Sequence, residues 1–327
     1  MLVDEVELTL SHVDLGHLDE QAAMILFANA HSHCLTAGTG HTLRDVTDAQ
    51  GATLYGGYYW THLTVPPGRR LEQHRVWDRV AVGVDVRVSG SLLLSSSYVL
   101  GRPGEVDPAD PARWDHDGLP SLRAGNTFFV DGIEGERRPS APRPGALAAL
   151  PKHEGIPASL DRFREQRARA SIDPAFDGPL RSARPIAYPT VAGRDLRPGH
   201  AIMFARYIQI ADTVERAFLT GELWPPLPRA LADCLSVLER ETFYFANARG
   251  EPCLRGTVRG RLSRCAPDLH GPDRDVVSGG LWTAISEIYD EDNVLLVTSR
   301  VRKLLAVPRA EQRLVTQAER IMATHAT

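Results

Sequence analysis

The feature that most constrains the fold is an order of elements that occurs twice along the chain. Each copy has a long helical pattern followed by several segments that alternate like β-strands. The first helix is predicted from Asp19 to about Ala37, and the second from Ala201 to Leu219. The letters of the two copies do not match, so the order of elements is repeated and the sequence is not. We therefore expect two helices, each packed against its own antiparallel strands.

The first helix has clear boundaries. Its apolar residues recur at helical spacing: Ala22, Ile25, Leu26 and Ala30. Asp19 is the expected N-cap or first-turn residue, because an aspartate oxygen accepts from the free N–H groups there. Gly38 and Gly40 are expected to end the helix.

The strand signals are those of an antiparallel sheet. Valine occupies every second position from Val80 to Val88, which is typical of a half-buried strand. The other strands of the first copy are predicted at 54–65, 92–100 and 127–130. Those of the second copy are predicted at 241–248, 254–262, 277–289 and 293–306, with a short one at 184–192.

The region between the copies reads differently. Prolines punctuate residues 132–182, and a polar, basic helix is expected at 158–170, so this region is interpreted as a surface linker. Two further helices are predicted at 228–238 and 309–325.

The domain division follows from this order: an N-terminal domain at 1–150, a linker at 151–182 and a C-terminal domain at 183–327. The fold class is α+β. A long helix wrapped by an antiparallel sheet is the hotdog arrangement, so two copies in one chain predict a double hotdog.

Composition narrows the class of protein. Of 327 residues, 43% are apolar, which is typical of a globular protein. The net charge is -4, so the chain lacks the overall positive charge that would indicate binding to nucleic acid or to a membrane. There is no signal-peptide pattern at the N-terminus and no apolar run of about 18 residues. The cysteines are Cys34, Cys234, Cys253 and Cys265; they form no CxxC pair, which predicts no zinc site and a reducing, cytoplasmic location.

One predicted strand is unusually aromatic. It follows a polar turn with Asp48 and Gly51, and six consecutive positions hold Tyr55, Gly56, Gly57, Tyr58, Tyr59 and Trp60. Glycines in a strand leave room for a ligand or another backbone to approach. This strand is therefore a candidate wall of a binding pocket.

Two stretches resemble known families. Gly199-His200, followed by a helix with Tyr207, resembles the helix start of hotdog acyl-CoA thioesterases, in which a catalytic Asp usually comes just before the Gly-His. Asp195 lies four residues before Gly199, one more than the usual spacing, and Ile202 and Met203 stand where paired Asn residues are usual.

The second resemblance is to the leinamycin-type bifunctional acyltransferase/decarboxylase family. The segment that shows this resemblance is Asp48-Ala-Gln-Gly51-Ala-Thr-Leu-Tyr55, followed by Tyr58 and Tyr59. The resemblance implies a double hotdog that decarboxylates methylmalonyl-CoA and passes a propionyl group to an acyl carrier protein in polyketide assembly. It also implies that Tyr55 is the functional tyrosine. Coenzyme A would enter as part of the thioester substrate, with no further cofactor.

The chemistry implied by this resemblance needs hydrogen-bond donors. Decarboxylation of a malonyl thioester leaves an enolate, so donors must face the thioester oxygen. The Gly16-His17 start of the first helix would offer backbone N–H groups and the positive end of the helix dipole. Gly56, Gly57, Tyr58 and Tyr59 would shape an apolar pocket for the leaving carboxylate.

Tyr55 has two possible roles. As a phenol it is a good donor to an enolate oxygen or carboxylate, and it becomes a nucleophile only if a neighbour activates it. No Lys or Arg lies beside it in sequence, so hydrogen bonding is favoured over an acyl-tyrosine. Tyr55 and His17 could also be packing residues. A pair of His31 and Cys34, three residues apart on one helix, is a further possibility.

Two other functions stay open at this point. A hotdog thioesterase or dehydratase would need a carboxylate or histidine base, and Asp195, Asp14 and Asp19 are candidates. A non-catalytic hotdog would bind acyl-CoA or an acyl carrier protein as a partner. Because sheet edges tend to be covered by pairing, a homodimer is expected.

Overall fold

In a computed structural model, residues 1–13, 16–42, 45–107, 109, 114, 118–131, 137–168, 181–182, 184–191, 202–248, 253–265 and 276–324 are described. Six strands come from the first copy: β1 (Leu2–Glu7), β2 (Tyr55–Thr64), β3 (Arg79–Ser89), β4 (Leu93–Gly101), β5 (Ser121–Asp131) and β6 (Arg137–Pro139). Six come from the second: β7 (Arg181–Ser182), β8 (Ile186–Pro189), β9 (Leu235–Tyr244), β10 (Cys253–Arg264), β11 (Val276–Tyr289) and β12 (Leu295–Pro308).

The strands form one 12-stranded sheet with the order β1-β3-β4-β5-β2-β9-β12-β11-β10-β7. β6 pairs with β5, and β8 pairs with β10. The two copies join where β2 runs antiparallel to β9, from Trp60 opposite Phe243 to Thr64 opposite Glu239. Both half-sheets therefore continue into each other through backbone hydrogen bonds.

The described helices are α1 (Glu20–Thr39), α2 (Ala158–Ala168), α3 (Phe204–Gly221), α4 (Arg229–Ala232) and α5 (Gln312–Thr324). The two long helices, α1 and α3, pack against each other and against one face of the sheet, here called the inner face. α2 packs over β2 on the opposite, outer face, where Phe163 of α2 lies in an aromatic cluster with Tyr59 and Phe243. Two central helices on a wrapping antiparallel sheet form the double hotdog that the element order predicts.

Local signals set the ends of α1 as expected. Asp19 is the N-cap, and its Oδ1 accepts from the N–H of Ala22. Gly40 ends the helix in the left-handed conformation (φ 73°), and its N–H donates to the carbonyl of Thr36.

The helix predicted at 228–238 is wrong in extent. It stops at Ala232, and β9 begins at Leu235, within the predicted helix. The spacing of Leu231, Leu235 and Leu238 suits a helix, but residues 235–244 are held between β2 and β12, so tertiary pairing overrides that pattern. The limits of the two domains at 150 and 183 stay a prediction.

A buried ion cluster ties the two copies together. Arg240 of β9 donates to Glu215 of α3 (Nη1–Oε1 2.8 Å) and to Glu20 at the start of α1. Lys303 of β12 binds Glu215 (Nζ–Oε2 2.8 Å) and Asp212. Burial alone would raise the pKa of Glu215, but the charges of Arg240 and Lys303 outweigh it and hold that pKa below its usual value.

We expect Arg240→Met to reduce the free energy of unfolding by about 3–5 kcal/mol, because Glu215 and Glu20 would keep buried charges without their partner. The matched control is Arg302→Met. Arg302 lies on β12, the strand beside β9, and its ion pair with Glu239 is exposed to solvent. Loss of this pair should lower the free energy of unfolding by less than about 1 kcal/mol. Chemical denaturation measures both; equal losses in the two variants would contradict this role of the cluster.

Candidate active site

The Asp48 turn is a structural device that fixes the start of β2. Asp48 Oδ1 accepts from the N–H groups of Gln50 (3.0 Å) and Ala52 (2.9 Å). Gly51 has a positive φ of 87°, which glycine adopts at little cost. Arg143 donates to the Asp48 carbonyl from its Nε. The Asp-Ala-Gln-Gly motif therefore builds the turn that presents Tyr55.

Strand alternation places Tyr55, Gly57 and Tyr59 on the outer face of the sheet. Tyr55 is 45% exposed and pairs with Phe129, and a Cβ built on Gly57 would lie 2.8 Å from the Phe129 ring. The Tyr59 hydroxyl lies 2.9 Å from Ser159 Oγ on α2. The room beside Gly57 is thus occupied by an aromatic ring, and Tyr59 packs under α2.

Gly56 and Tyr58 face the other way, toward the helices. Nothing lies within 4 Å of a Cβ built on Gly56, so the space beside it is open. The Tyr58 hydroxyl lies 3.2 Å from that of Tyr98 on β4. The residues predicted to share one pocket are therefore divided between two faces of the sheet.

The start of α1 is held by other contacts. Gly16 is exposed with a φ of 88°, and the backbone of His17 forms a bridge with Arg75. No hydrogen bond or ring contact joins His17 to Tyr55 or Tyr58 among the residues that the structure describes. Sequence reasoning placed these groups in one site, and the described contacts do not bring them together.

Tyr58 belongs to a buried polar cluster between α1 and the inner face. His31 Nδ1 lies 2.8 Å from the Tyr98 hydroxyl and 3.4 Å from Ser96 Oγ. Ser96 donates to Asn126 Oδ1 at 3.2 Å, and Asn126 pairs with Tyr58 across β2 and β5. These five residues, the His31 cluster, come from α1, β2, β4 and β5.

Every titratable group of the His31 cluster is uncharged at neutral pH. Burial lowers the pKa of His31 to about 4. Burial, with the neighbouring Tyr58, raises the pKa of Tyr98 well above its ordinary value, and burial also raises that of Tyr58. Imidazole and phenol groups each both donate and accept, so His31, Tyr98 and Tyr58 form a neutral hydrogen-bond relay.

The relay ends beside the first residue of α3. The Tyr58 and Phe204 rings are both half-buried, with centroids 4.2 Å apart. Met203 is the N-cap of α3, so the Phe204 ring that contacts Tyr58 belongs to the first residue of this 18-residue helix. A half-buried phenol of the first copy and the N-terminal end of a long helix of the second copy thus meet where the two copies join. Such an arrangement can stabilise negative charge that develops on a substrate oxygen.

The other sequence candidates have different outcomes. His31 contacts Tyr98, and burial raises the pKa of Cys34, which keeps the sulfur as a thiol. Gly199, His200, Asp195 and Asp14 lie outside the described residues. Asp19 is the N-cap of α1.

His31 is the functional candidate that sequence reasoning undervalued. A signal for it exists, because His31 lies four residues after Phe27 and four before Leu35, and all three are buried on one side of α1. Its partners, Tyr98 and Asn126, lie far away in sequence and are aligned only by the register of β4 and β5. That register could not be read from the chain.

No group of three or more His, Cys, Asp or Glu side chains in the described part of the chain is arranged to hold a metal ion. Within the same residues, every helix is too short or too polar to cross a bilayer.

The fold is similar to three solved structures. A Lactobacillus plantarum protein described as an oleoyl thioesterase has a TM-score of 0.59 at 12% identity, over 94% of this chain and 95% of that chain. An acyl-ACP thioesterase from Bacteroides thetaiotaomicron has a TM-score of 0.51 at 11% identity, over 92% and 96%. The 12:0-ACP thioesterase from Umbellularia californica has a TM-score of 0.50 at 13% identity, over 92% and 96%.

No protein-family model matches the sequence, and no curated protein matches it. At such low identities the structural similarity establishes the fold alone. The chain has the hotdog fold over nearly its whole length.

The low pKa of His31 predicts a pH-dependent stability. In the unfolded chain His31 has a pKa near 6.5 and binds a proton below that pH. In the folded chain His31 stays neutral until the pH falls to about 4. The stability contributed by neutral His31 is therefore complete above pH 6.5 and is lost as the pH falls toward 4. Between pH 7 and pH 4.5 this loss should be about 2 kcal/mol.

Urea denaturation of the wild type and of His31→Gln at the two pH values measures this loss. Glutamine keeps hydrogen-bonding groups but does not titrate, so His31→Gln should lose about 2 kcal/mol less than the wild type on acidification. His41→Gln, at an exposed position outside the cluster, is the control and should follow the wild type. An unchanged pH dependence in His31→Gln would rule out the buried neutral state.

Proposed function

We propose that the protein is an enzyme that acts on acyl thioesters at the Tyr58 end of the His31 cluster. The observation that carries the proposal is a neutral relay that ends at Tyr58, whose ring packs against Phe204 at the start of α3. The three structurally similar proteins are named as thioesterases, which supports the same substrate class. The thiol of the substrate would be coenzyme A or an acyl carrier protein.

In this proposal the thioester carbonyl binds between Tyr58 and the first N–H groups of α3. Its oxygen gains negative charge whether water attacks the carbonyl or a neighbouring carboxylate leaves. Tyr58 donates to that oxygen while its own oxygen accepts from Tyr98, and Tyr98 accepts from His31 Nδ1–H. The raised pKa of Tyr58 keeps its proton in place as a donor.

Thioester hydrolysis is the reaction that the structural similarity supports. It needs a base to activate water, and the two carboxylates of α3, Asp212 and Glu215, are bound to Lys303 and Arg240. His31 is the basic group of the cluster, although a pKa of about 4 makes it a weak base at neutral pH. A hydrolase using this site would therefore be slow unless substrate binding raises that pKa.

Decarboxylation with acyl transfer is the second candidate, and the uncharged site favours it. Loss of CO2 from a methylmalonyl thioester breaks a carbon–carbon bond and leaves its electron pair in an enolate, so the step needs donors and no base. Tyr58 supplies the hydroxyl donor, and Tyr98 donates to Tyr58. The enolate takes a proton from water to give propionyl-CoA. The thiol of a carrier protein then attacks this thioester, loses its proton and releases free CoA, so the propionyl group ends on the carrier protein.

The remaining parts of the proposal are the acyl carrier protein as a partner, a homodimer and a cytoplasmic location. They stay predictions. The proposed chemistry uses groups of this chain and a coenzyme A thioester as substrate.

One incubation distinguishes these reactions. The purified protein is mixed separately with butyryl-CoA, lauroyl-CoA and methylmalonyl-CoA, with and without holo acyl carrier protein. Mass spectrometry identifies the products. Free acid and free CoA support hydrolysis, and propionyl-CoA with propionyl carrier protein supports decarboxylation and transfer. If every ester survives unchanged, the proposed enzyme function is wrong.

The two faces of β2 give the sharpest test of the site. Tyr58→Phe removes the inner hydroxyl and should lower kcat about 100-fold, the size of effect known for loss of one oxyanion donor. Tyr55→Phe removes an exposed outer hydroxyl and should change kcat less than about twofold. Steady-state kinetics on the best substrate measures both. The opposite result would move the site to the outer face and to the tyrosine that the family resemblance implies.

A further inference from the structure

Trp77, in the loop before β3, combines an exposed side chain with a strained backbone. Its φ is 73°, in the left-handed region that bulky residues rarely adopt. The N–H of Asp78 donates to the carbonyl of Arg75 (3.0 Å), so Trp77 is the third residue of a tight turn, where a positive φ favours glycine. Trp77 is nevertheless 66% exposed. Packing within one molecule therefore leaves most of this tryptophan uncovered, and residues strained in this way cluster at functional sites.

The turn is held rigidly on the molecule. The N–H of Trp77 donates to the carbonyl of Leu8 (2.8 Å), and the N–H of Leu8 donates to the carbonyl of Asp78 (2.9 Å). Asp78 Oδ2 accepts from the N–H of Arg75 at 2.7 Å. The backbone of Arg75 also forms a bridge with that of His17, just before α1. The tryptophan is therefore presented on a fixed backbone, so a contact made through it would cost little ordering of the chain.

A second exposed apolar residue lies in the segment bonded to this turn. Leu10 follows Leu8 by two residues and is 75% exposed. Trp77 and Leu10 are here called the Trp77 patch. Tryptophan is enriched among the residues that contribute most to the affinity of protein interfaces, and such residues lie near the centre of the contact. The Trp77 patch therefore has the composition of an interface centre.

The charges beside the Trp77 patch determine which partner fits it. The exposed charged residues on the turn and on the adjoining end of β1 carry both signs: Arg75, Arg79, Glu5, Glu7 and Asp78. Arg79 binds Glu5 (Nη2–Oε2 2.8 Å). A strongly acidic or strongly basic partner would meet like charges on part of this rim. In a two-fold contact between identical molecules, each basic group can instead face an acidic group of the other molecule.

The size of the patch shows how much more surface such a contact must bury. A buried tryptophan contributes about 150–250 Å², so the exposed two-thirds of Trp77 in two molecules supplies about 200–300 Å². A stable interface buries about 1,200–2,000 Å² in total. Surface for the remainder lies beside the patch, because β1 is the last strand of the sheet and its outer edge is unpaired in the described part of the chain.

We infer that the Trp77 patch is the contact through which two molecules of this chain form a symmetric homodimer. The patch of one molecule packs against the same patch of the other, and the mixed charges of the rim pair across the two-fold axis. Burial of two tryptophans in the dimer offsets the cost of the strained turn. This inference is independent of the proposed enzyme activity.

Analytical ultracentrifugation of the full chain over a series of concentrations up to about 100 µM measures the dissociation constant of the dimer. The wild type should sediment as a dimer at the upper concentrations. Trp77→Gly should raise the dissociation constant at least about tenfold, and Leu10→Ser about fivefold or more. At concentrations where both proteins are monomeric, the melting temperature of Trp77→Gly should not fall below that of the wild type, because glycine adopts the positive φ without strain.

Val294→Ser is the matched control for Leu10→Ser. Val294 is also exposed, but it lies in the β11–β12 hairpin, at the end of the sheet opposite the Trp77 turn. Its dissociation constant should equal that of the wild type. A wild type that stays monomeric up to about 100 µM overturns the inference. An unchanged dissociation constant in both patch variants, or an equal rise in Val294→Ser, overturns it as well. If Trp77→Gly unfolds, Leu10→Ser alone decides between these outcomes.

Discussion

The pairing of β2 with β9 is the contact on which the rest of the molecule depends. Backbone hydrogen bonds between these strands turn two half-sheets into one and bring α1 and α3 side by side on the inner face. Tyr58 lies just beyond the paired stretch, so it reaches across to the start of the other half's helix. Neither half alone would contain the junction where Tyr58 meets Phe204.

The two long helices carry different chemistry at equivalent places. His31 lies twelve residues beyond the cap of α1, and Glu215 lies twelve residues beyond the cap of α3. Both side chains are buried beneath the sheet. His31 is neutral and bound to phenol and hydroxyl groups, whereas Glu215 is charged and held by Arg240 and Lys303. The His31 cluster is therefore uncharged, whereas the cluster around Glu215 is charged and stabilises the contact between the two copies.

Much of the fold could be predicted because its signals are local. The valine alternation marked β3, the aspartate at position 19 marked the start of α1, and the repeated order gave the double hotdog. The start of β9 was missed, because leucines spaced for a helix also serve a strand held between two neighbours. Only the final pairing decides between these two structures.

The candidate site was harder to predict for a related reason. Consecutive residues of a strand face opposite ways, so the aromatic run could not be one wall of one pocket. A bulge between Tyr58 and Trp60 further shifts the alternation and places Tyr59 and Trp60 on the same outer side. The sequence drew attention to β2, and the register with β5 and the partners on β4 single out Tyr58 as the residue of the proposed site.

The presence of both long helices in one chain has a consequence for how the sequence can evolve. In a symmetric homodimer every substitution occurs in both subunits, so a residue that suits one of two equivalent positions also occupies the other. Here His31 and Glu215 are separate positions in one sequence, and a mutation at one leaves the other unaltered. Stability and reactivity, which usually compete at a single site, can therefore be selected independently.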